Sequence, residues 1–508
     1  MEPLSALNHT WRHVVPPMSV LLSSLTLVFG SLAFACRRSG TSNDSTWRAV
    51  LGLVYGRRRQ GKTFLLETLA DTHGGFYFCA LRQSATQNRE RLAEAYRTFT
   101  RSRARVHFAS WEEAMEALLA LGEDAAEPVV VVLDEFPYLL DGATELPSVL
   151  QTLLRPKGPA AQHWRTRLIL CGSALSTMRS LLTGTAPLRG RASLELVLHP
   201  FDYRDVALFW QVAHDPELAV RMHALVGGTP AYRDMCTNAS PTSASDFDRW
   251  VVDNLLNPAS AMFREGNALL SEEDRVVDTS VYFAVLTAIS QGRTRRGEIA
   301  ASVGKADGAL AHPLTVLAQA GLVAALSDAI KQKRTTHHVA EPALRLHQLI
   351  IAPNESRLTR HHAAEVWAEV ADTVAARIYG PHLERLARTW CVEHASKATL
   401  GGTASKVGPT EVACQEHRCN HEIDVVVIEV LAQSADRVTA LGEVKWRSDA
   451  VGSDQLTRLE HLRTLMKLPS NVKLLLFSWA GFTDALHHVA TRRDDVELVD
   501  LLRLYTGS

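Results

Sequence analysis

Short, continuous apolar runs alternate with amphipathic stretches from residue 50 to about residue 200, and this alternation sets the first expectation of fold. Val50-Leu51-Gly52-Leu53-Val54-Tyr55 is apolar throughout, as expected of a strand buried on both faces. A helical pattern over Thr63 to Ala70 follows, then the aromatic run Gly75 to Ala80, which reads as a second strand. Helices are predicted from Ser84 to Thr98 and from Trp111 to Leu121. Pro128 then introduces Val129-Val130-Val131-Val132-Leu133, another run suited to a doubly buried strand. A helix near Leu146 to Leu154 leads to strands at Arg167 to Ser173 and Ser193 to Leu198. Strands alternating with helices predict an α/β domain with a parallel sheet, ending near Pro200.

The pattern changes after that point. Residues from about Phe201 to Glu273 read as helical, interrupted by Gly227-Gly228-Thr229-Pro230. Val281 to Leu326 has the form helix, turn, helix, turn, helix, which is a winged helix-turn-helix pattern with Lys331-Gln332-Lys333-Arg334 at the tip of a candidate wing. Basic residues are sparse on the presumptive recognition helix, so a lid or protein contact is favoured over sequence reading of DNA. From Ala363 the pattern returns to helix, strands and helix. The expected organisation is an N-terminal extension (1–45), a nucleotide domain (46–200), a helical lid (201–273), a winged helix (274–350) and a C-terminal α/β domain (360–508).

Composition narrows this only in places. A chain of 508 residues exceeds one ordinary core. A net charge of −1 gives no global basic field, so any nucleic-acid contact must be local. Seven cysteines, scattered from Cys36 to Cys419, do not form a secreted disulfide framework, and the expected location is cytoplasmic. Val20 to Cys36 is apolar and uncharged and is followed by Arg37 and Arg38. Three readings stay open for it: a membrane anchor with the bulk of the chain on the cytoplasmic side, a signal peptide, or an extension that adds nothing to the fold.

The chemistry begins at Gly56-Arg57-Arg58-Arg59-Gln60-Gly61-Lys62-Thr63, a G-x-x-x-x-G-K-T phosphate loop set between a strand and a helix. Its glycines let backbone N–H groups turn toward phosphates at a helix N-terminus. Lys62 would reach the β and γ phosphates, and Thr63 would offer its hydroxyl to Mg²⁺. The run ending in Asp134-Glu135 puts two carboxylates at a strand's C-terminal edge, where ligands sit in open parallel sheets. Asp134 would hold Mg²⁺ through water, and Glu135 would orient and deprotonate the attacking water. Ser173 is suited to bond the γ-phosphate or that water, or to cap the next helix. Arg189 and Arg191 are candidates to neutralise transition-state charge, within the subunit or across an oligomer, or to form surface ion pairs.

These residues resemble the prokaryotic archaeal-type P-loop ATPases, relatives of the AAA+ and STAND proteins. The resemblance rests on YGRRRQGKT, VVVVLDEFPYL, LILCGSALSTM, PLRGRAS, GGTPAY and HVAEPALRL, and runs from about Ala49 to the C-terminus. It implies ATP as the nucleotide, Asp134 and Glu135 as metal-holding and catalytic carboxylates, Ser173 as a sensor-like residue and Arg191 as the arginine finger. It also assigns Gly228 and Pro230 to a lid segment near the nucleotide.

A second constellation lies C-terminally. Glu384 falls on a helical pattern, Asp424 within a strand, and Glu443-Val444-Lys445 on another strand whose alternation sets Glu443 and Lys445 on one face. A strand pair would bring Asp424 beside them, so that Glu384, Asp424 and Glu443 surround one Mg²⁺ while Lys445 stays close to its water; the plain alternative is a charged strand with Lys445 paired to a carboxylate. This resembles the restriction-endonuclease-like PD-(D/E)xK fold and implies a DNA-cleaving site or its inactive relic. Between them, Cys414-x-x-His417-x-Cys419-x-His421 offers sulfur and imidazole, but its spacing is tighter than that of zinc fingers, and it reads as an incidental polar loop. The expectation is a P-loop NTPase with a winged-helix lid and a nuclease-like C-terminal domain, needing ATP and Mg²⁺, with DNA and a second copy of itself as candidate partners.

Overall fold

A computed structural model describes residues 49–508 apart from 124, 158–163, 238, 272–278, 332–333 and 433–434. The apolar segment Val20 to Cys36 therefore lies outside the described residues, and among those described no helix is long and apolar enough to cross a membrane. The chain divides into two compact units: residues up to Pro200 with Thr229–Ala231, and Phe201–Gly228 with Tyr232–Ser508.

The first unit is an α/β layer structure. Strands β1 (Val50–Gly56), β2 (Phe76–Cys79), β3 (Val129–Asp134), β4 (Thr166–Gly172) and β5 (Ala192–Leu198) form one parallel sheet in the order β2-β3-β4-β1-β5. The apolar run of β3 shows why the sheet must be covered on both sides. Val131 and Leu133 pack with Leu51, Leu53, Phe76 and Leu170 on one face, while Val130 and Val132 pack with Val54, Leu66, Leu69 and Ile169 on the other. Each fully buried side chain of this size contributes about 1.5–3 kcal/mol, so a polar residue on either face would be costly. Helix Lys62–Thr72 lies over the second face through Leu65, Leu66 and Leu69. Ser84 caps the helix Ala85–Phe99 with a reciprocal Gln87 bond, starting it where the sequence predicts.

The second unit begins with helices Tyr203–Phe209, Pro216–Val226, Ala244–Asn254 and Ala261–Ser271. Helices Thr279–Ser290, Arg296–Val303 and Ala311–Gln319 follow in the predicted order, then the antiparallel hairpin β6 (Val323–Ser327) and β7 (Thr335–Val339). A mixed sheet ends the chain: β8 (Lys406–Cys414), β9 (Cys419–Glu429), β10 (Arg437–Lys445), β11 (Lys473–Ser478) and β12 (Val496–Val499), ordered β12-β11-β10-β9-β8. The β8-β9-β10 strands pair antiparallel and β10-β11-β12 parallel. Val425 and Val427 face the helix Gly380–Glu393 through Leu383, Leu386 and Trp390, whereas Val426 and Ile428 share a core with Leu459 and Leu462 of helix Ser453–Leu465.

The hairpin tip is engaged within its own unit. Glu411 of β8 takes ion pairs from Arg295 and from Arg334 (2.7 Å), and its carbonyl accepts from Lys331 Nζ at 2.5 Å. The Ala329 N–H bonds to the Pro409 carbonyl, and Thr410 donates to Asp328. Basic side chains that the sequence offers to a phosphate backbone are thus drawn onto the neighbouring sheet edge.

Candidate nucleotide site and a second carboxylate site

The phosphate loop turns because two glycines permit it. A Cβ on Gly56 would lie 2.5 Å from the Leu198 carbonyl oxygen, and Gly61 holds φ 78°, in the left-handed region open to glycine. Lys62 is buried. Its ammonium donates to the carbonyls of Gly56 (2.9 Å) and Arg57 (2.8 Å), so it folds back over its own loop. Burial lowers its pKa, while Asp134 and Glu135 pull in the other direction. Arg58 donates to the Tyr138 hydroxyl at 2.8 Å. The Gln60 side chain is buried with neither amide atom hydrogen-bonded, so the loop holds polar groups for which a phosphate or water would supply partners.

β3 delivers the carboxylates to the same sheet edge. Asp134 is fully buried and takes three donors: Thr63 Oγ1 at 2.9 Å, the Tyr77 hydroxyl at 2.7 Å and the Glu135 N–H at 2.8 Å. The Thr63–Asp134 contact unites the hydroxyl and the carboxylate that a Mg²⁺ held by this site would need, and these residues fit that ion. Glu135 sits at φ 49°, ψ 42°, an uncommon conformation for a side-chain-bearing residue that aims it away from the strand line. Ser173, just past the end of β4, donates to its carboxylate at 3.1 and 3.3 Å. The chain Thr63–Asp134–Glu135–Ser173 therefore closes beside the loop.

Tyr77 was missed by motif reading. Its signal is the alternation of β2, which buries Phe76 and Phe78 on one face and turns Tyr77 to the other. Cys171 is a second such residue: burial and Asp134 hold its thiol well above its usual pKa. From the glycine segment, Thr229–Ala231 pack with the first unit, and the Ala231 N–H reaches the Arg59 carbonyl at 3.3 Å. Gly228 instead bonds through its carbonyl to Phe201 at 2.8 Å, within the second unit.

Arg191 lies elsewhere. It precedes β5, whose Ala192 pairs with Leu51 and whose Leu198 pairs with Gly56. Arg191 thus stands at the N-terminal edge of the sheet, roughly 17–20 Å along the strands from the loop, farther than an arginine side chain spans. By this register Arg191 does not reach the loop within its own subunit, which leaves action across a subunit boundary or a surface ion pair. Arg189 donates to the Gly184 carbonyl at 2.8 Å.

In the second unit, the sequence-predicted carboxylates are brought together from three elements. The Asp424 carboxylate on β9 accepts the Val444 N–H at 2.8 Å. Glu443 on β10 is buried, takes Lys445 Nζ at 2.5 Å and faces Arg458 Nε at 3.5 Å. Glu384 stands 3.8 Å from Arg388, which also donates to the Asp424 carbonyl at 2.9 Å. Burial, then Glu384 and Glu443, push Asp424 up to about 7, and burial raises Glu384 as well. Among the described residues the three carboxylates do not converge as one tight ligand set. Asp424 and Glu443 still offer hard oxygen donors suited to Mg²⁺, with Lys445 alongside. Glu384 also lines a cleft of ≈ 700 Å³ whose walls carry as many carboxylates as arginines, Arg295 and Arg334 among the latter being paired with Glu411. Trp446 packs on Trp479 (3.8 Å between ring centroids) and Tyr379 (4.8 Å), which supports a packing role.

Residues 45–232 match a family described as an ATPase domain predominantly from Archaea. An uncharacterized protein of Methanocaldococcus jannaschii is 23% identical over 401 residues, covering 78% of this chain and 82% of that protein. Among solved structures, a Walker-type ATPase of Pyrococcus abyssi is similar at 19% identity and TM-score 0.44, covering 59% of this chain and 90% of its own. The Aeropyrum pernix ORC2 protein in ADPNP–ADP complexes is similar at 16% identity and TM-score 0.36, covering 71% and 97%. The loop, the strand that ends in Asp134-Glu135 and the family match agree: residues 45–232 contain an ATPase domain of the archaeal type.

Proposed function

We propose that the chain is an ATP-hydrolysing switch whose second unit carries a Mg²⁺-dependent phosphodiester-cleaving site. The observation that carries the ATPase reading is the Thr63–Asp134 contact at 2.9 Å, with Glu135 set just beyond it and held by Ser173. Mg²⁺, when bound with ATP, neutralises phosphate charge. Thr63 and Asp134 would hold it, the second through water. Lys62 exchanges its loop carbonyls for β and γ phosphate oxygens, and Glu135 takes the proton of the water attacking the γ-phosphorus. Segment Thr229–Ala231 is covalently joined on both sides to the second unit and bonds to Arg59, so a change in the loop has a direct chain route onward. The helices and hairpin from Thr279 to Val339 act as a winged-helix lid in this scheme.

The nuclease reading is supported by the raised Asp424, which has Glu384 and Glu443 as carboxylate neighbours on two other elements. A second reading, a regulatory NTPase acting through protein contacts with an inactive nuclease fold, is favoured by one observation: both Glu443 oxygens are engaged by cations of the chain. Assays of ATP turnover and DNA nicking separate them. Glu443→Ala is expected to abolish nicking and leave ATP turnover unchanged; a parent protein that nicks neither DNA nor RNA with any nucleotide and divalent metal decides for the second reading. Self-association is part of the proposal through Arg191. Turnover per chain should rise with protein concentration in the parent and stay flat in Arg191→Ala.

A further inference from the structure

Four metal-ligating side chains outside both sites meet where the β8–β9 hairpin touches helix Ser453–Leu465. Cys414 ends β8, His417 stands in the connecting turn, His421 lies on β9 and His461 comes from the helix. One ligand atom from each lies within 4.8 Å of all the others. Cys414 Sγ is 3.5 Å from His417 Nδ1 and 3.5 Å from His461 Nε2, and His417 Nδ1 is 3.0 Å from His421 Nε2. A tetrahedron with about 2.3 Å to sulfur and 2.0–2.1 Å to nitrogen has ligand–ligand edges of roughly 3.3–3.6 Å. Both sulfur–nitrogen separations of 3.5 Å already match that, and no pair exceeds 4.8 Å.

We propose that Cys414, His417, His421 and His461 bind one Zn²⁺ in a closed structural site. The donor chemistry selects the metal: one thiolate and three imidazoles suit zinc and not the hard cations of the carboxylate sites. The competing explanation is a cluster of histidines bonded to one another. It accounts for the His417–His421 contact, but it gives no reason for a buried sulfur to face two imidazole nitrogens while accepting the His417 N–H at 3.4 Å. The turn is shaped for this: Arg418 at φ 51° lets the chain reverse so that His417 folds back over Cys414.

The four residues Cys414, His417, Cys419 and His421 do not form the cluster by themselves: Cys414 and His421 are fixed by strands, Cys419 is left out, and the fourth donor comes from a helix 40 residues beyond His421. Cys419 pairs across the hairpin with Cys414 but is exposed, and its sulfur stands at the rim, 3.8 Å from His421 Nε2. The metal would brace the helix against the hairpin. One turn before His461 the same helix carries Arg458, which donates to the Glu422 carbonyl at 2.8 Å.

Metal analysis of the purified full-length chain tests this, with Co²⁺ substitution as a second readout. Expected are about one zinc per chain, a tetrahedral Co²⁺ spectrum with a thiolate band that Cys414→Ser removes, near-complete loss of zinc in His461→Ala, and retention in Cys419→Ala. Because Cys414→Ser removes a buried group, folding of each variant is checked by circular dichroism and limited proteolysis of the second unit, which carries the cluster. A chelator should lower the melting temperature of the parent and leave that of His461→Ala unchanged. A folded parent that takes up neither zinc nor tetrahedral Co²⁺, or a His461→Ala variant that keeps its zinc, overturns the proposal.

Discussion

Asp134 and Asp424 are both carboxylates drawn out of water beside a sheet, but they keep different company. Asp134 is met by a threonine, a tyrosine and a backbone N–H, all neutral donors. Asp424 has one backbone N–H and two carboxylate neighbours, and its pKa rises to about 7. The first site has its hydrogen bonds in place before any ligand arrives. The second sets carboxylates against cations of the chain as well as against one another, with Lys445 and Arg458 on Glu443 and Arg388 on Glu384. Neutral donors hold the first; charges that the chain itself supplies hold the second.

The sharpest break in this comparison comes at the phosphate loop. Lys62→Ala should reduce ATP turnover on the order of 10²-fold or more, because a charge that faces phosphate oxygens in a partly desolvated loop is lost; steady-state phosphate release measures it. Asp424 offers a smaller effect with a defined sign. Its folded pKa lies above the unfolded value, so its stabilising contribution is full below about pH 4 and is lost as pH rises through about 7. Asp424→Asn should therefore flatten the pH dependence of melting between those limits and gain about 1–2 kcal/mol at pH 8 relative to the parent in Mg²⁺-free buffer. A parent whose stability rises across that interval, with the variant following it, would contradict the assignment. The smallest effect is expected at Tyr77→Phe. It removes one donor from Asp134, worth about 1–2 kcal/mol, and should weaken Mg²⁺–ATP affinity several-fold with folding intact.

What could be read from the chain divides along physical lines. The first sheet was legible because the runs at Val50, Val129 and Arg167 are too apolar and too short for anything but doubly buried strands, and their alternate residues sort into two cores. The phosphate loop and Asp134-Glu135 were legible because local geometry fixes their chemistry. Strand order was not, since β4 intervenes between β1 and β3 and nothing local records that. The same gap hid the hydroxyl of Tyr77 on Asp134 and His461 beside Cys414: each depends on which strand or helix lies next door, a property of packing and not of spacing. The edge occupied by Arg191 was legible, because a residue just before a strand of a parallel sheet stands opposite a loop that follows one.

The most direct measurement compares Glu135→Gln with the parent for both Mg²⁺–ATP binding and turnover. The account predicts affinity within a few-fold of the parent and turnover reduced on the order of 10²–10³-fold, as befits loss of a general base. Unchanged turnover in a variant that binds ATP normally, or a parent with no affinity for adenine nucleotides, would contradict it.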